Sequence, residues 1–74
     1  MNELDTVVLT KSMPALGLEA GDVGAIVHRH SPEAFEVEFV SGEGGTVAVA
    51  TLNASDLRRI GAEDILHVRS LAHR

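Results

Sequence analysis

Between Phe35 and Val40 the chain reads Phe-Glu-Val-Glu-Phe-Val, apolar and acidic residues alternating as far as Phe39. Side chains of a strand point to opposite faces in turn, so Phe35, Val37 and Phe39 share one face and Glu36 and Glu38 the other. The face with two phenylalanines is the one to bury. Other runs predict strands around it. Residues 4–11 form a first, built on the β-prone Val7, Val8, Leu9 and Thr10 and stopped at Ser12-Met13-Pro14. Residues 22–30 form a second, 46–52 a fourth, and Leu57-Arg58-Arg59-Ile60 a short fifth. Gly24, inside the second strand, marks a bulge or bend where a side chain would obstruct a neighbouring backbone.

The connections follow from turn chemistry. Residues 12–20 form a loop, with Gly17 and Gly21 open to positive φ and Leu16 and Leu18 tucked under the sheet. Ser31-Pro32-Glu33-Ala34 is a short link, and Ser41-Gly42-Glu43-Gly44-Gly45 a glycine-rich hairpin loop. Residues 53–57 read as a single helical or 3₁₀ turn capped by Asn53 or Ser55. Residues 62–72 read as a helix. Glu63 and Asp64 fall in its first turn and Arg69, His73 and Arg74 near its end, which suits the helix dipole. Ile65, Val68 and Ala72, with Leu71 nearby, make its apolar stripe. Leu66-His67-Val68-Arg69 also alternates as a strand does. The expected architecture is all-β: an SH3-like five-stranded barrel over residues 1–60, with a one-turn 3₁₀ helix before the fifth strand. A short C-terminal helical tail over residues 61–74 packs on the barrel or on a partner. Gly21 and Gly24 supply the bend that closes such a barrel.

Composition narrows the function. A chain of 74 residues is one domain with a small core, burying only about 60% of the surface its unfolded form exposes. There are no cysteines, so neither disulfides nor thiolate metal sites reinforce it. Phe35 and Phe39 are its only aromatics among Phe, Tyr and Trp, which leaves little surface for stacking bases. With 11 acidic and 6 basic residues the net charge is -5, which repels a nucleic acid. No run approaches the length of a membrane span, and the acidic Met1-Asn2-Glu3-Leu4-Asp5 lacks the plan of a signal peptide. The expectation is a soluble cytoplasmic protein with no nucleic-acid or membrane partner.

Asp5-Thr6-Val7-Val8-Leu9-Thr10, Gly17-Leu18, Gly21-Asp22-Val23-Gly24-Ala25-Ile26-Val27, Phe35-Glu36-Val37-Glu38-Phe39, Thr51-Leu52 and Leu57-Arg58 occur in that order. As a set they resemble a family of small bacterial SH3-like barrel proteins of unknown function. The resemblance covers the first 60 residues and stops at Gly61. Phe35 stands where the family usually has Tyr. The resemblance implies no activity; some members sit beside toxin-like genes, which implies a partner-binding role. Residues 21–27 are also similar, more loosely, to the KOW motif of ribosomal and transcription-factor proteins.

Several constellations carry residue types suited to chemistry. His28 and His30, two apart on one strand, share a face and make half of a zinc or nickel site that Glu36, Glu38 or His67 would complete. The plainer reading, a solvated face carrying histidines, is preferred, so no metal is assigned. Glu36 and Glu38 could share a proton, but a barrel this small has little room for a cleft, and pairing with Arg29 or Arg58 explains them better. Gly42-Glu43-Gly44-Gly45 lacks the Lys and helix of a phosphate loop, no Gly-x-Ser-x-Gly occurs, and Asn53-Ala54-Ser55 reads as a cap. Of the adjacent Arg58 and Arg59, one pairs on the surface and the other is free to meet a partner's carboxylate.

No enzyme, cofactor or metal is therefore expected. The expected function is a small non-catalytic protein-interaction module that binds a basic protein or a second copy of itself. The alternatives are an antitoxin- or immunity-like protein masking a basic toxin and, behind it, a KOW-like nucleic-acid-associated module. The expected partner surface combines the loops 12–20 and 31–34 with the tail: Met13, Leu16, Glu19, Pro32, Glu33, Ile65, Val68 and Leu71.

Overall fold

A computed structural model describes residues 1–71. The alternating run becomes strand β3, Ala34–Val40, with Phe35, Val37 and Phe39 buried and Glu36 and Glu38 partly exposed on the other side. β1 is Thr6–Leu9, β2 Val23–Ser31, β4 Thr46–Asn53 and β5 Leu57–Arg59. Two 3₁₀ turns, Pro14–Leu16 and Ala54–Asp56, precede β2 and β5. All neighbours pair antiparallel in the order β4-β3-β2-β1-β5. The sheet is open, where a closed barrel was expected. β5 has three residues and pairs with β1, so β4 and β5 remain the two edges.

The core lies on one face. Val7, Leu9, Leu18, Ile26, Ala50, Leu52 and Leu57 gather around the β3 row, with Met1 and Met13 packed against them. Gly24 is buried beside β3 in a place with no room for a side chain, as its position in the strand predicted. Of the two loop leucines, Leu18 is buried but Leu16 stays 40% exposed on the first 3₁₀ turn.

β2 departs from simple alternation. Its register against β3 slips between Ile26 and His28 and again between Arg29 and Ser31. Each slip inserts one unpaired residue and changes which way the following side chains point. Ile26 opposes Val37 in the core, and His28 then opposes Glu36 on the outer face.

The expected C-terminal helix is not found. Beyond a turn near Ala62 the described tail has no regular structure, and Ile65, Leu66 and Val68 are 92%, 69% and 89% exposed. Local bonds by Asp64 and long-range bonds by Arg69, described below, hold it instead. Ala72, His73 and Arg74, which the helix expectation included, lie outside the described residues.

Candidate functional site

The β1–β2 loop is a set of nested turns. Met13 and Leu18 exchange backbone hydrogen bonds, with Met13 N–H donating to Leu18 O at 2.9 Å and Leu18 N–H to Met13 O at 3.2 Å. Gly17, at φ 73°, turns the chain between them, a left-handed conformation that favours glycine. Asp22 closes the loop: its Oδ2 accepts from Glu19 N–H at 2.8 Å and its backbone carbonyl accepts from Leu9 N–H at 2.8 Å.

The same carboxylate receives the tail. Arg69 Nε donates to Asp22 Oδ1 and Nη2 to Oδ2, both at 2.8 Å, and Nη2 also donates to Gly17 O at 2.8 Å. Glu19 Oε2 lies 3.5 Å from Arg69 Nη1. This planar fork-to-carboxylate geometry is the strongest form of side-chain ion pair. The Arg69 hydrogen bonds hold the Asp22 carboxyl below its ordinary range, against an opposing push from burial. A second anchor lies five residues earlier. Arg58 Nη1 donates to Asp64 Oδ2 at 2.8 Å, and Gly61 N–H donates to the same oxygen at 2.6 Å. That carboxyl too is lowered, first by Arg58 and then by the Gly61 hydrogen bond. Residues 64–69 are thus strapped between β5 and the start of β2. Val8 lies between those anchors, opposite Arg58 on β5 and Val23 on β2; it stands outside the core cluster yet is only 8% exposed.

Beside the strap is an open, mainly apolar groove of about 620 Å³. Pro14, Leu18, Val47 and Leu71 supply its apolar lining, and Glu19 and Arg69 its charge. The proposed partner residues divide among three places. Leu71 and Glu19 line the groove, with Met13 and Leu16 on the adjoining loop. Ile65 and Val68 project from the strap. Pro32 and Glu33 sit apart at the β2–β3 turn, where Glu33 O accepts from Ala54 N–H at 2.9 Å.

His28 and His30 do come together, with ring centroids 4.5 Å apart in an edge-on arrangement. Each meets a different acid: His28 Nδ1 is 3.4 Å from Glu3 Oε2 and His30 Nε2 3.5 Å from Glu36 Oε1. Among the described residues no group of three or more side chains is arranged to hold a metal ion. Glu38 accepts from the Thr46 hydroxyl at 2.6 Å, so Glu36 and Glu38 have separate partners, neither of them Arg29 or Arg58. Arg29 instead lies over the Phe35 ring, 6.0 Å from its centroid. Arg59 pairs with Asp5 at 3.5 Å.

Sequence reasoning missed the Asp22–Arg69 clamp. The two residues are 47 positions apart, and no local spacing connects them. Among the described residues no helix is long and apolar enough to cross a membrane. Residues 3–59 match the model of a family described as a domain of unknown function, DUF4926. No curated protein and no solved structure matches the chain.

Proposed function

The chain belongs to the DUF4926 family, and from that premise we propose that it is a cytoplasmic, non-catalytic protein-interaction module that docks a basic partner surface. The observation that carries this reading is the strap. Ile65 and Val68 are almost fully exposed on a segment fixed on either side by Asp64 and Arg69. Exposed apolar side chains that are already ordered lose little further freedom on binding, which favours a docking role. The groove beside them adds a recess for an apolar anchor from the partner. The net charge of -5 supports a basic partner and disfavours the KOW-like nucleic-acid reading. The antitoxin reading is the case in which that basic surface is a toxin's. We read the strand sequence, with its 3₁₀ turn before the short fifth strand, as an SH3-like plan left open at the β4 edge.

The test is affinity capture from the source organism with the full chain and the paired variant Ile65→Ser, Val68→Ser. The reading expects one basic protein held stoichiometrically by the wild type, released by raised salt, and lost with the variant. Capture of nothing at stoichiometric level, or of a partner indifferent to both salt and variant, refutes it.

A further inference from the structure

The two register slips of β2 bracket its histidines. His28 opposes Glu36 just after the first slip, and the second falls at His30, between Arg29 and Ser31. Bulges bend a strand, sharpen its twist and re-aim its side chains. Residues two apart on a regular strand are separated by about 6.6 Å along it. The imidazoles of His28 and His30 lean closer than that, with ring centroids 4.5 Å apart and planes at 77°. Arg29, the residue between them, turns to the Phe35 ring instead. Sequence alone placed the two histidines on one face; the convergence of their rings is what the structure adds.

Each imidazole also has one nitrogen beside a carboxylate: Glu3 Oε2 is 3.4 Å from His28 Nδ1, and Glu36 Oε1 is 3.5 Å from His30 Nε2. Histidines that ligate metals characteristically set their other nitrogen against a carboxylate, which fixes the ring and raises its basicity as a ligand. Here that leaves His28 Nε2 and His30 Nδ1 as the donors. Both residues are exposed, so an ion reaches them from solvent, and a ring turns readily about its broad χ2 torsion to aim its nitrogen. The two carboxylates and the net charge of -5 draw a cation to this face.

We propose that His28 and His30 chelate one divalent ion of the Ni2+ or Cu2+ kind, with Glu3 and Glu36 behind the two ligands and water in the remaining positions. The ring separation selects the class of ion. An ion bonded to a ring nitrogen at about 2.1 Å lies about 3.2 Å from that ring's centroid. Two centroids 4.5 Å apart then subtend about 90° at the ion. That is the angle between neighbouring ligands in tetragonal coordination, the preference of Cu2+ and Ni2+, and it is narrower than the angle of about 109° in tetrahedral zinc sites. Among the described residues no third side chain completes a set of protein ligands, so the site is open to water, unlike a closed structural zinc site. None of the four residues lines the groove or belongs to the strap, so the site goes beyond the partner-docking reading and stands without it.

Nickel chloride titrated into the full chain, produced without a histidine tag, tests this by calorimetry and by the histidine ring resonances in NMR. The paramagnetic ion should broaden the His28 and His30 rings together, ahead of His67. His28→Gln and His30→Gln should each weaken binding about tenfold or more, because chelation needs both rings, and Glu36→Gln should weaken it about 10–100-fold. An unchanged far-ultraviolet spectrum in each variant ties the loss to the ligand set, and the NMR reading on the wild type needs no variant. Single-histidine variants that bind nickel as the wild type does overturn the proposal. So does His67 broadening in step with the pair, which would mean an adventitious ion only, or zinc chloride binding more tightly than nickel, which would mark a tetrahedral site.

Discussion

Replacing Gly24 with alanine tests the packing argument at its tightest point. A β-carbon there would stand 2.8 Å from Val37 Cγ1, 2.9 Å from Phe39 Cδ2 and 2.9 Å from the Glu38 carbonyl oxygen. The two side chains belong to the buried β3 row, and the carbonyl belongs to the strand that pairs with β2, so none yields by a simple rotamer change. Overpacking of this kind costs roughly 1–3 kcal/mol. The alanine also restricts the unfolded chain, which returns about 0.4–1 kcal/mol. The net loss is about 1–2 kcal/mol, out of a total near 4–11 kcal/mol for a chain this size. In a domain this small each kcal/mol moves Tm by about 4–8 °C, so Gly24→Ala should melt roughly 5–15 °C below wild type. Thermal unfolding followed by circular dichroism, at one fixed protein concentration, measures it. Gly42→Ala is the control, because a β-carbon there meets nothing within 4 Å and its backbone is not left-handed. It should lack the clash and keep only the unfolded-chain effect, so that it melts at or slightly above wild type, by about 0.4–1 kcal/mol at most. A Gly24→Ala protein that melts at or above wild type would refute the reasoning.

The clamp gives two further expectations. Because Arg69 lowers the folded-state carboxyl of Asp22, the stabilisation is complete above the unfolded value of about 3.9 and is lost as pH falls through the folded one. Urea midpoints measured from neutral to strongly acid pH should therefore fall less steeply for Asp22→Asn than for wild type, with Asp5 and Asp64 retaining part of the slope; identical slopes would show that the pair carries no linkage. Arg69→Gln should free the strap without unfolding the sheet, so that thermolysin cuts near Ile65 and Leu66 faster while the far-ultraviolet spectrum is kept; an unchanged cleavage rate would mean the clamp holds nothing.

The legible part of the fold is the part where local pattern and burial agree. β3 could be read residue by residue because residues 35–39 alternate apolar and acidic and its two phenylalanines choose the face. Gly24 was legible for a related reason, since a glycine among β-branched neighbours predicts a close approach. β2 was less so. Its bulges after Ile26 and after Arg29 follow from how the strand fits β3, and nothing in Val27-His28-Arg29-His30 announces them. The pairing of His28 with Glu36 across the strands depends on the first slip. Closure was misjudged because strand order is readable from turns, whereas the lengths of the edge strands decide whether they can meet. A three-residue β5 opposite an eight-residue β4 leaves the sheet open.

The tail shows how a helical pattern loses to a local turn at Asp64 and to long-range bonds at Arg69. A helix of about eleven residues is marginal by itself, since nucleation fixes several residues before any bond compensates. Asp64, read as a first-turn acid, accepts from Gly61 N–H and from Arg58, and Asp64 N–H donates to Gly61 O at 3.1 Å, closing a tight turn. Arg69, read as a C-terminal cation suited to the dipole, reaches Asp22 and Gly17 O with its fork geometry satisfied. Each residue exchanges a weak local electrostatic preference, worth about 0.3–1 kcal/mol at a helix end, for directed hydrogen bonds to a fixed partner. A helix holding Ile65, Val68 and Leu71 on one stripe would have buried them together. The strap sends Leu71 to the groove and leaves Ile65 and Val68 in water, so the apolar content of the tail is free to meet another surface.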